Sequence, residues 1–246
     1  MTAREKKVIY NLLKTASSSI NGFTAADFPD VENLFTDDIK LQDTSEIPDT
    51  QDSTDSVTDS IALKIHSCTR CELSKQRNHA VEGSGSLSPL VFVIQDSPLF
   101  EEDLEGKSCA GEAGAYLDKM LSAVSLSRNT NTYVTNIVKC RSKLNRNPYP
   151  EEIEACSSFL DSQLARYKPS FILCMGNICS KALLNTQKNI AELRPGEFEY
   201  KGIPLYVTYS AQQILKDQNL RRPVWEDLKK LKAKLLESHP DYEVKV

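Results

Sequence analysis

Four short apolar runs divide the chain after about residue 61, and polar or turn-forming residues border each of them. The runs are PLVFVI (89–94), TYVTNIV (132–138), SFILCMG (170–176) and IPLYVTY (203–209). Runs of this length, rich in Val, Ile and aromatic residues, are typical of strands that are buried on both faces of a sheet.

Apolar residues at helical spacing fill the segments between the runs. The clearest stripes are Tyr116, Leu117, Met120, Leu121 and Val124, then Ile153, Cys156, Leu160 and Leu164, and residues 177–186 and 222–237 are also predicted helices. Strands that alternate with helices predict an α/β fold whose mainly parallel sheet is covered on both faces. The ligand site of such a sheet lies beyond the carboxyl ends of its strands, which here means loops 95–112, 139–148 and 208–216.

Residues 1–60 have a different composition from the rest of the chain. Residues 1–23 form a predicted N-terminal helix, whereas residues 24–60 hold eleven acidic side chains and one Lys. The second segment buries too little apolar surface to offset chain entropy, so we predict an acidic disordered linker. The globular domain is then expected to span residues 61–246. We interpret the linker as a solvated tether, and the alternative is that it binds a protein partner.

The net charge is unevenly distributed, with −7 over residues 1–60 and +3 over residues 61–246. A mildly basic domain is compatible with a polyanion such as DNA, although a charge of +3 does not establish one. No run approaches the roughly 18 apolar residues of a membrane span, and the N-terminus lacks the apolar core of a signal peptide. We therefore expect a cytoplasmic, monomeric protein with no membrane contact.

Two thiols lie two residues apart, at Cys68 and Cys71 in KIHSCTRCELSKQR, and Cys140 and Cys156 follow in distant segments. Four cysteines in a reducing compartment are typical of a zinc site or an iron–sulfur cluster. The wide spacing of the second pair favours a cluster. The alternative is that the first pair arises by chance and that the other two thiols belong to the core.

Nine short motifs occur in one order along the domain. They are C-T-R-C-E-L…R (68–77), G-S-G (83–85), L-V-F-V (90–93), E-D (102–103), A-G…L-D-K-M-L (113–121), T-N-I-V-K-C-R…N-R-N-P (135–148), E-E-I-E-A-C (151–156), M-G-N (175–177) and V-W-E-D-L (224–228). Together they resemble the iron–sulfur uracil-DNA glycosylases, known as family 4, over the segment from about His66 to Leu236.

The resemblance implies a three-layer α/β sandwich around a central, mainly parallel four-stranded sheet. It also implies that a 4Fe-4S cluster is held by Cys68, Cys71, Cys140 and Cys156, with a structural role near a DNA-binding surface. Uracil excision requires the nucleotide to leave the base stack and enter a tight pocket. The family uses four devices for this step.

Two of these devices are altered in this chain. The family's GEAPG-like loop is replaced by Gln95-Asp96-Ser97-Pro98-Leu99, so both glycines are absent and the carboxylate is the shorter Asp96. Gln95 and Leu99 are expected to fill space that the family leaves open. The Phe that stacks on the flipped base is replaced by Cys109, and a thiol does not supply the roughly 1–3 kcal/mol of a base–aromatic stack.

Of the remaining two devices, one is kept in this chain and the other is replaced. The Asn that pairs with the uracil edge is kept as Asn136. The His that stabilises charge on the leaving uracil is replaced by Ser210, which carries no positive charge and donates one hydrogen bond. Asp96 and Ser210 are therefore the candidate catalytic residues, and Asn136, Gln95 and Cys109 are the candidate base-binding residues.

The candidate DNA-binding residues are two pairs. Leu215 and Lys216 match the apolar wedge and the cation that the family inserts at the flipped site. Arg141 and Arg146 lie beside the cluster cysteines, where cations are suited to contact phosphates. We consider three hypotheses: a divergent glycosylase with weakened or altered activity, a non-catalytic relative that binds DNA or a partner, and a zinc-stabilised interaction module.

Overall fold

The computed structural model describes residues 55–245, and their side chains from residue 60 to residue 243. The predicted helix at 1–23 and most of the acidic segment at 24–60 lie outside the described residues. The first described helix begins at Asp55, ahead of the domain start that the change in composition indicates. No helix in the described range is long and apolar enough to cross a bilayer.

The described residues form one six-stranded sheet with the order β1-β3-β2-β4-β6-β5. Its strands are β1 (Ser84–Gly85), β2 (Val91–Gln95), β3 (Thr132–Asn136), β4 (Phe171–Met175), β5 (Phe198–Tyr200) and β6 (Ile203–Thr208). The four central strands are parallel and correspond to the four predicted runs. The prediction of four strands misses β1 and β5, which pair antiparallel at the two edges. Both are short and lack a buried apolar run, so periodicity gives no signal for them.

Eight α-helices accompany the sheet in the described part of the chain. They are α1 (Asp55–His66), α2 (Phe100–Glu105), α3 (Gly111–Ser122), α4 (Pro150–Tyr167), α5 (Asn177–Leu184), α6 (Ile190–Leu193), α7 (Ala211–Lys216) and α8 (Arg221–Ser238), with 3₁₀ turns at Glu72–Lys75, Lys143–Asn145, Gln218–Leu220 and Tyr242–Lys245. The four predicted helices are confirmed as α3, α4, α5 and α8. The helices α2, α6 and α7 have only four to six residues, and α1 has twelve; none of the four was predicted.

Two apolar cores, one on each face of the sheet, create the three layers. Along β2, Phe92 and Ile94 face one core, while Val91 and Val93 face the other. The first core includes Leu160 and Leu164 of α4, and the second is closed by α3 and α8. Because successive side chains of a strand point to opposite faces, a continuous apolar run is what a sheet covered on both sides requires. The predicted α/β sandwich is confirmed.

The four parallel strands end at one level. Gln95, the last residue of β2, pairs in register with Asn136 of β3 on one side and Met175 of β4 on the other. Met175 pairs in turn with Thr208 of β6. The loops that follow these strands therefore meet at one edge of the sheet.

A buried ion pair fixes the carboxyl end of β6. Asp227 of α8 accepts a hydrogen bond from the Thr208 hydroxyl at 2.6 Å. The same carboxylate is bound by the Arg194 guanidinium through Nε at 2.5 Å and Nη2 at 3.0 Å. The ring of Tyr209, the next residue after β6, lies 5.5 Å from this guanidinium. The network therefore holds the start of the loop that carries Ser210.

We expect Asp227→Ala to lower the free energy of unfolding by about 3–5 kcal/mol, because it leaves the Arg194 charge buried without its partner. Denaturant unfolding measures this change. Glu237→Ala is the matched control, since it removes an exposed carboxylate that pairs with Lys234. That change should cost less than about 1 kcal/mol. Equal costs for the two substitutions would contradict the anchoring role of Asp227.

Candidate active site at the carboxyl edge of the sheet

A cleft of about 90 Å³ opens where the parallel strands end. Its lining is Gln95, Asp96, Ser97, Pro98, Leu99, Asn145, Arg146, Asn147, Pro148, Ile178, Ser210 and Gln212. All three loops that the sequence indicated thus meet in one place. The cleft is small for a binding pocket, which commonly measures about 300–1,000 Å³. Gln95 and Leu99, expected to fill space in the pocket, both line it.

Asn136 is fully buried at the end of β3, yet neither atom of its side-chain amide has a hydrogen-bond partner in the protein. Most buried polar atoms are paired, and an unpaired one calls for an explanation. Asn136 lies next to Gln95 through the strand register, although it is not among the cleft-lining residues. An amide that presents both a donor and an acceptor matches the edge of a nucleobase in chemical type.

Lys139 holds the same strand end, and sequence reasoning missed it. Its fully buried ammonium donates to the Asn136 carbonyl at 2.8 Å, to Thr135 Oγ1 at 2.6 Å and to Gln163 Oε1 at 2.8 Å. Burial lowers the pKa of Lys139 to about 8. The backbone after Asn136 is therefore fixed by a buried lysine, while the Asn136 side chain stays unpaired.

Asp96 follows β2 and bonds to the beginning of α5. Its Oδ1 accepts the backbone N–H of Cys179 at 2.8 Å. Burial raises the pKa of Asp96, and backbone N–H groups at the start of α5 oppose the rise. The helix end favours a negative charge at this position. A carboxylate with a raised pKa is more basic, which suits a group that activates water.

Ser210 lies in the cleft as the N-cap of α7. Its hydroxyl accepts the backbone N–H of Gln213 at 3.2 Å, and the Gln213 side chain accepts the backbone N–H of Ser210 at 2.8 Å. This reciprocal capping box is a common way to begin a helix with Ser. The hydroxyl proton remains available for one donated hydrogen bond.

Cys109 lies outside the cleft lining and packs against the core beside α3. Its backbone has a left-handed φ of 61°, and its N–H donates to Glu102 Oε1 at 2.6 Å. Glu102 also accepts the backbone N–H of Leu99 at 2.8 Å, so one buried carboxylate joins the two ends of this segment. Burial raises the pKa of the Cys109 thiol to about 11, which keeps it uncharged at neutral pH.

The four predicted cluster cysteines come from three segments. Cys68 and Cys71 lie in the turn after α1, Cys140 lies in the loop after β3, and Cys156 lies in α4. Cys140 and Cys156 are buried and Cys68 and Cys71 are half-buried, and all four are free thiols. Arg77 donates to the Cys140 sulfur at 3.0 Å, and the backbone N–H of Lys139 donates to that of Cys156 at 3.3 Å.

These thiols act on one another electrostatically. Burial is the largest cause that raises the pKa of both buried thiols, and it raises the pKa of Cys140 to about 11. The charge of Cys71 raises the pKa of Cys140 and of Cys156 further. A bound cationic group reverses that effect, because it stabilises thiolates. In the described range, no three His, Cys, Asp or Glu side chains are grouped closely enough for one metal ion. The four sulfurs fit an iron–sulfur group in donor type, and they do not form a closed single-ion site.

The predicted DNA contacts divide into two groups. Arg146 lines the cleft and is held by Glu152 through two bonds of 2.6 and 2.8 Å. Arg141 binds Asn145 Oδ1 through its Nε at 2.9 Å. Leu215 and Lys216 lie in the last turn of α7, with Leu215 half-buried and Lys216 exposed. Neither is a cleft-lining residue.

Comparison with known proteins identifies the family. The profile of the Uracil DNA glycosylase superfamily matches residues 82–229. A Type-4 uracil-DNA glycosylase of Archaeoglobus fulgidus is 31% identical over 181 residues, 70% of this chain and 90% of that protein. One from Pyrobaculum aerophilum is 34% identical over 173 residues, 67% of this chain and 87% of that protein. One from Thermotoga maritima is 30% identical over 177 residues, 70% of this chain and 92% of that protein.

The chain belongs to the uracil DNA glycosylase superfamily. The matched range runs from the segment before β1 into α8, so it contains every strand that brings the cleft together. The resemblance derived from the motifs is confirmed at the level of the family. Within this uracil DNA glycosylase fold, Gln95, Asp96 and Ser210 share the cleft, whereas Asn136 borders it through Gln95.

A substitution at Gly176 tests how closely the Asp96 carboxylate packs against the backbone. A Cβ at Gly176 would lie 2.4 Å from the Asp96 carboxylate, and the backbone there has a φ of +137°. We expect Gly176→Ala to destabilise the protein by about 3 kcal/mol or more, because steric overlap adds to backbone strain.

Gly202→Ala is the matched control, since Gly202 has a φ of +80° but nothing within 4 Å of the added Cβ. That change should cost only about 1–2 kcal/mol of backbone strain. Thermal unfolding compares the two variants. Equal losses would show that the Asp96 carboxylate does not approach Gly176 closely.

Proposed function

We propose that the chain is a DNA-binding iron–sulfur uracil-DNA glycosylase whose rate of uracil excision is lower than that of its relatives. The observation that carries the proposal is the buried, unpaired amide of Asn136 at the carboxyl end of β3. An unpaired buried polar group costs about 1–3 kcal/mol, so a site that keeps one gains when a ligand completes its hydrogen bonds. The edge of a flipped uracil supplies both a donor and an acceptor.

The other cleft residues take defined roles in this reaction. Asp96 orients or deprotonates the water that attacks the glycosidic carbon, and its raised pKa supports that role. Ser210 donates one hydrogen bond towards the leaving uracil. The relatives' names supply the substrate, since each is a Type-4 uracil-DNA glycosylase. The same names support a role in DNA repair.

The reduced rate follows from the missing histidine. The chain's histidines are His66, His79 and His239, and none of them lines the cleft. His79 bonds to the Asp103 carbonyl and His239 to Ser170, so both side chains are engaged elsewhere. Loss of one donor to developing negative charge costs roughly 2.7–4 kcal/mol in the transition state. A Ser at position 210 replaces only part of that stabilisation.

A non-catalytic relative is the second candidate, and one observation favours it. Asp96 Oδ1 and Ser210 Oγ, the atoms expected to take part in chemistry, already accept hydrogen bonds from the beginnings of α5 and α7. Polar groups used as helix caps serve stability without any reaction. In this case the fold binds DNA, or a partner of residues 1–60, without excision.

The cluster proposal depends on the four thiols. Cys68, Cys71, Cys140 and Cys156 would hold a 4Fe-4S cluster, which when bound cross-links three separate segments and takes no part in hydrolysis. Arg77 and the backbone of Lys139 donate to two of the sulfurs, as partners of thiolate ligands commonly do. Because Lys139 also bonds to the Asn136 carbonyl, the cluster ligands and the base-reading strand end share one residue.

We expect Asn136→Ala to reduce uracil release from a single-stranded oligonucleotide about 100-fold, because one essential base contact is lost. Its melting temperature should not fall, since the substitution removes an amide that is buried without a partner. Asn131→Ala is the matched control: Asn131 is buried as well, but it accepts from Ser127 and donates to Ser125. That variant should lose stability and keep its activity per folded molecule.

Two outcomes of this assay would change the conclusion. A wild-type protein that releases no uracil would favour the non-catalytic candidate. A wild-type protein that releases uracil rapidly, with no effect of Asn136→Ala, would show that the active site lies on other residues.

We expect Cys140→Ser to remove most of the iron, the inorganic sulfide and the visible absorption of anaerobically purified protein, and to lower its melting temperature. Cys174→Ala is the matched control, because Cys174 is also fully buried but faces Cys179 at 2.9 Å rather than the other four thiols. It should keep its iron. Zinc in place of iron in the wild-type protein would overturn the cluster proposal.

A further inference from the structure

Two exposed aromatic rings in the described structure each lie against an arginine. The Phe100 ring, on a residue 49% exposed, lies 5.1 Å from the Arg141 guanidinium carbon. Tyr149 is 53% exposed, and its ring lies 4.0 Å from the guanidinium carbon of Arg146. We call these four residues the stacked rim. An aromatic ring that keeps so much of its surface in water is available to another flat group.

The stacked rim borders the cleft from two sides. Phe100 directly follows the cleft-lining Leu99 at the beginning of α2, and Arg146 itself lines the cleft. Arg141 reaches the cleft-lining Asn145 through the hydrogen bond from its Nε. Both aromatic rings therefore lie beside the place where the target nucleotide would enter.

The stacked rim is already ordered. Glu152 accepts two bonds from Arg146 and also the backbone N–H of Tyr149 at 2.8 Å, so one carboxylate of α4 fixes both residues. Leu144 forms the tip of the same loop, 96% exposed and with a left-handed φ of 55°. Because Glu152 already restrains Arg146 and Tyr149, these two residues lose less conformational entropy on binding than free side chains would.

A groove of about 640 Å³ lies along Arg146 and Tyr149, and it shares Arg146 with the lining of the cleft. Its volume is within the range of ligand sites. Its full lining is Arg70, Cys71, Glu72, Gln76, Arg146, Tyr149, Glu151 and Glu152. The two arginines are outnumbered by three carboxylates, so the groove is not a phosphate channel. It is better suited to the flat faces of bases than to the backbone, whereas the exposed Lys143 and the Nη atoms of Arg141 are available to phosphates.

We propose that the stacked rim binds the unpaired nucleotides that flank the target, so that the protein prefers single-stranded DNA to duplex DNA. This inference rests on the proposed function, since it concerns the same cleft. In a duplex each base is covered on both faces by its neighbours, and only an unpaired base has a face free to stack on an aromatic ring or a guanidinium. The preference for single strands thus follows from the rim's chemistry.

The test measures binding and not excision. The full-length protein is titrated against a fluorescein-labelled oligothymidylate without uracil, and against the same strand in a duplex with oligoadenylate, by fluorescence anisotropy. We expect Phe100→Ala and Tyr149→Ala each to weaken single-strand binding about tenfold, within the range for loss of one base–aromatic stack. Duplex binding should change by less than twofold. Tyr149→Phe keeps the ring and should bind like the wild type.

Trp225→Ala is the matched control. Trp225 is 43% exposed and has Lys229 at 5.9 Å from its ring, but it is not among the residues that line the cleft or the groove. Its loss should leave single-strand binding unchanged. The inference is overturned if the two rim variants bind single strands like the wild type, lose single-strand and duplex affinity equally, or match Trp225→Ala. A wild-type protein that binds neither form would overturn the proposed function itself.

Discussion

The in-register pairing of four parallel strands is the constraint on which the site depends. Gln95, Asn136, Met175 and Thr208 end their strands at the same level, so four loops that are distant in sequence share one edge. Parallel pairing of this kind requires long crossover connections, and here helices on both faces supply them. A shift of one residue in any strand would turn its buried side chains to the opposite core and would separate these loops.

Three of these four strand ends are then fixed by a buried polar contact. Lys139 holds the end of β3, Asp227 holds the end of β6, and Asp96 bonds the segment after β2 to the beginning of α5. Such contacts are costly to disrupt, because a charge left without its partner in the interior is poorly solvated. The groups that hold the edge rigid therefore lie next to those that would bind a base. Because these groups are neighbours, the same residues are suited both to stabilise the fold and to take part in base binding.

The departures from the glycosylase pattern also have structural consequences. Ser210 begins a helix through a capping box, and Cys109 adopts a left-handed backbone that Glu102 supports. We propose that Ser210 stands where the glycosylases carry a catalytic His; its hydroxyl caps a helix and carries no charge. The buried amide of Asn136 gains nothing comparable in the free protein. It is the feature that most favours retained base binding in a site whose other groups have become engaged in the fold.

The amino-acid sequence by itself determined the four central strands, the helices α3, α4, α5 and α8, the α/β class and the family, because buried runs and helical stripes leave a signal in the sequence and because the motifs are ordered along the chain. It did not determine β1 and β5, whose pairing at the sheet edges needs no apolar run. Only the tertiary structure decided that Asp96 accepts a hydrogen bond from the beginning of α5, and that the buried side chain of Asn136 has no partner. The capping box of Ser210 and Gln213, by contrast, is a local pattern that a sequence can show. The tertiary structure also brought Phe100 to Arg141, and Tyr149 to the groove that shares Arg146 with the cleft. These contacts depend on which loops meet beyond the sheet, and no local pattern encodes a meeting of distant segments.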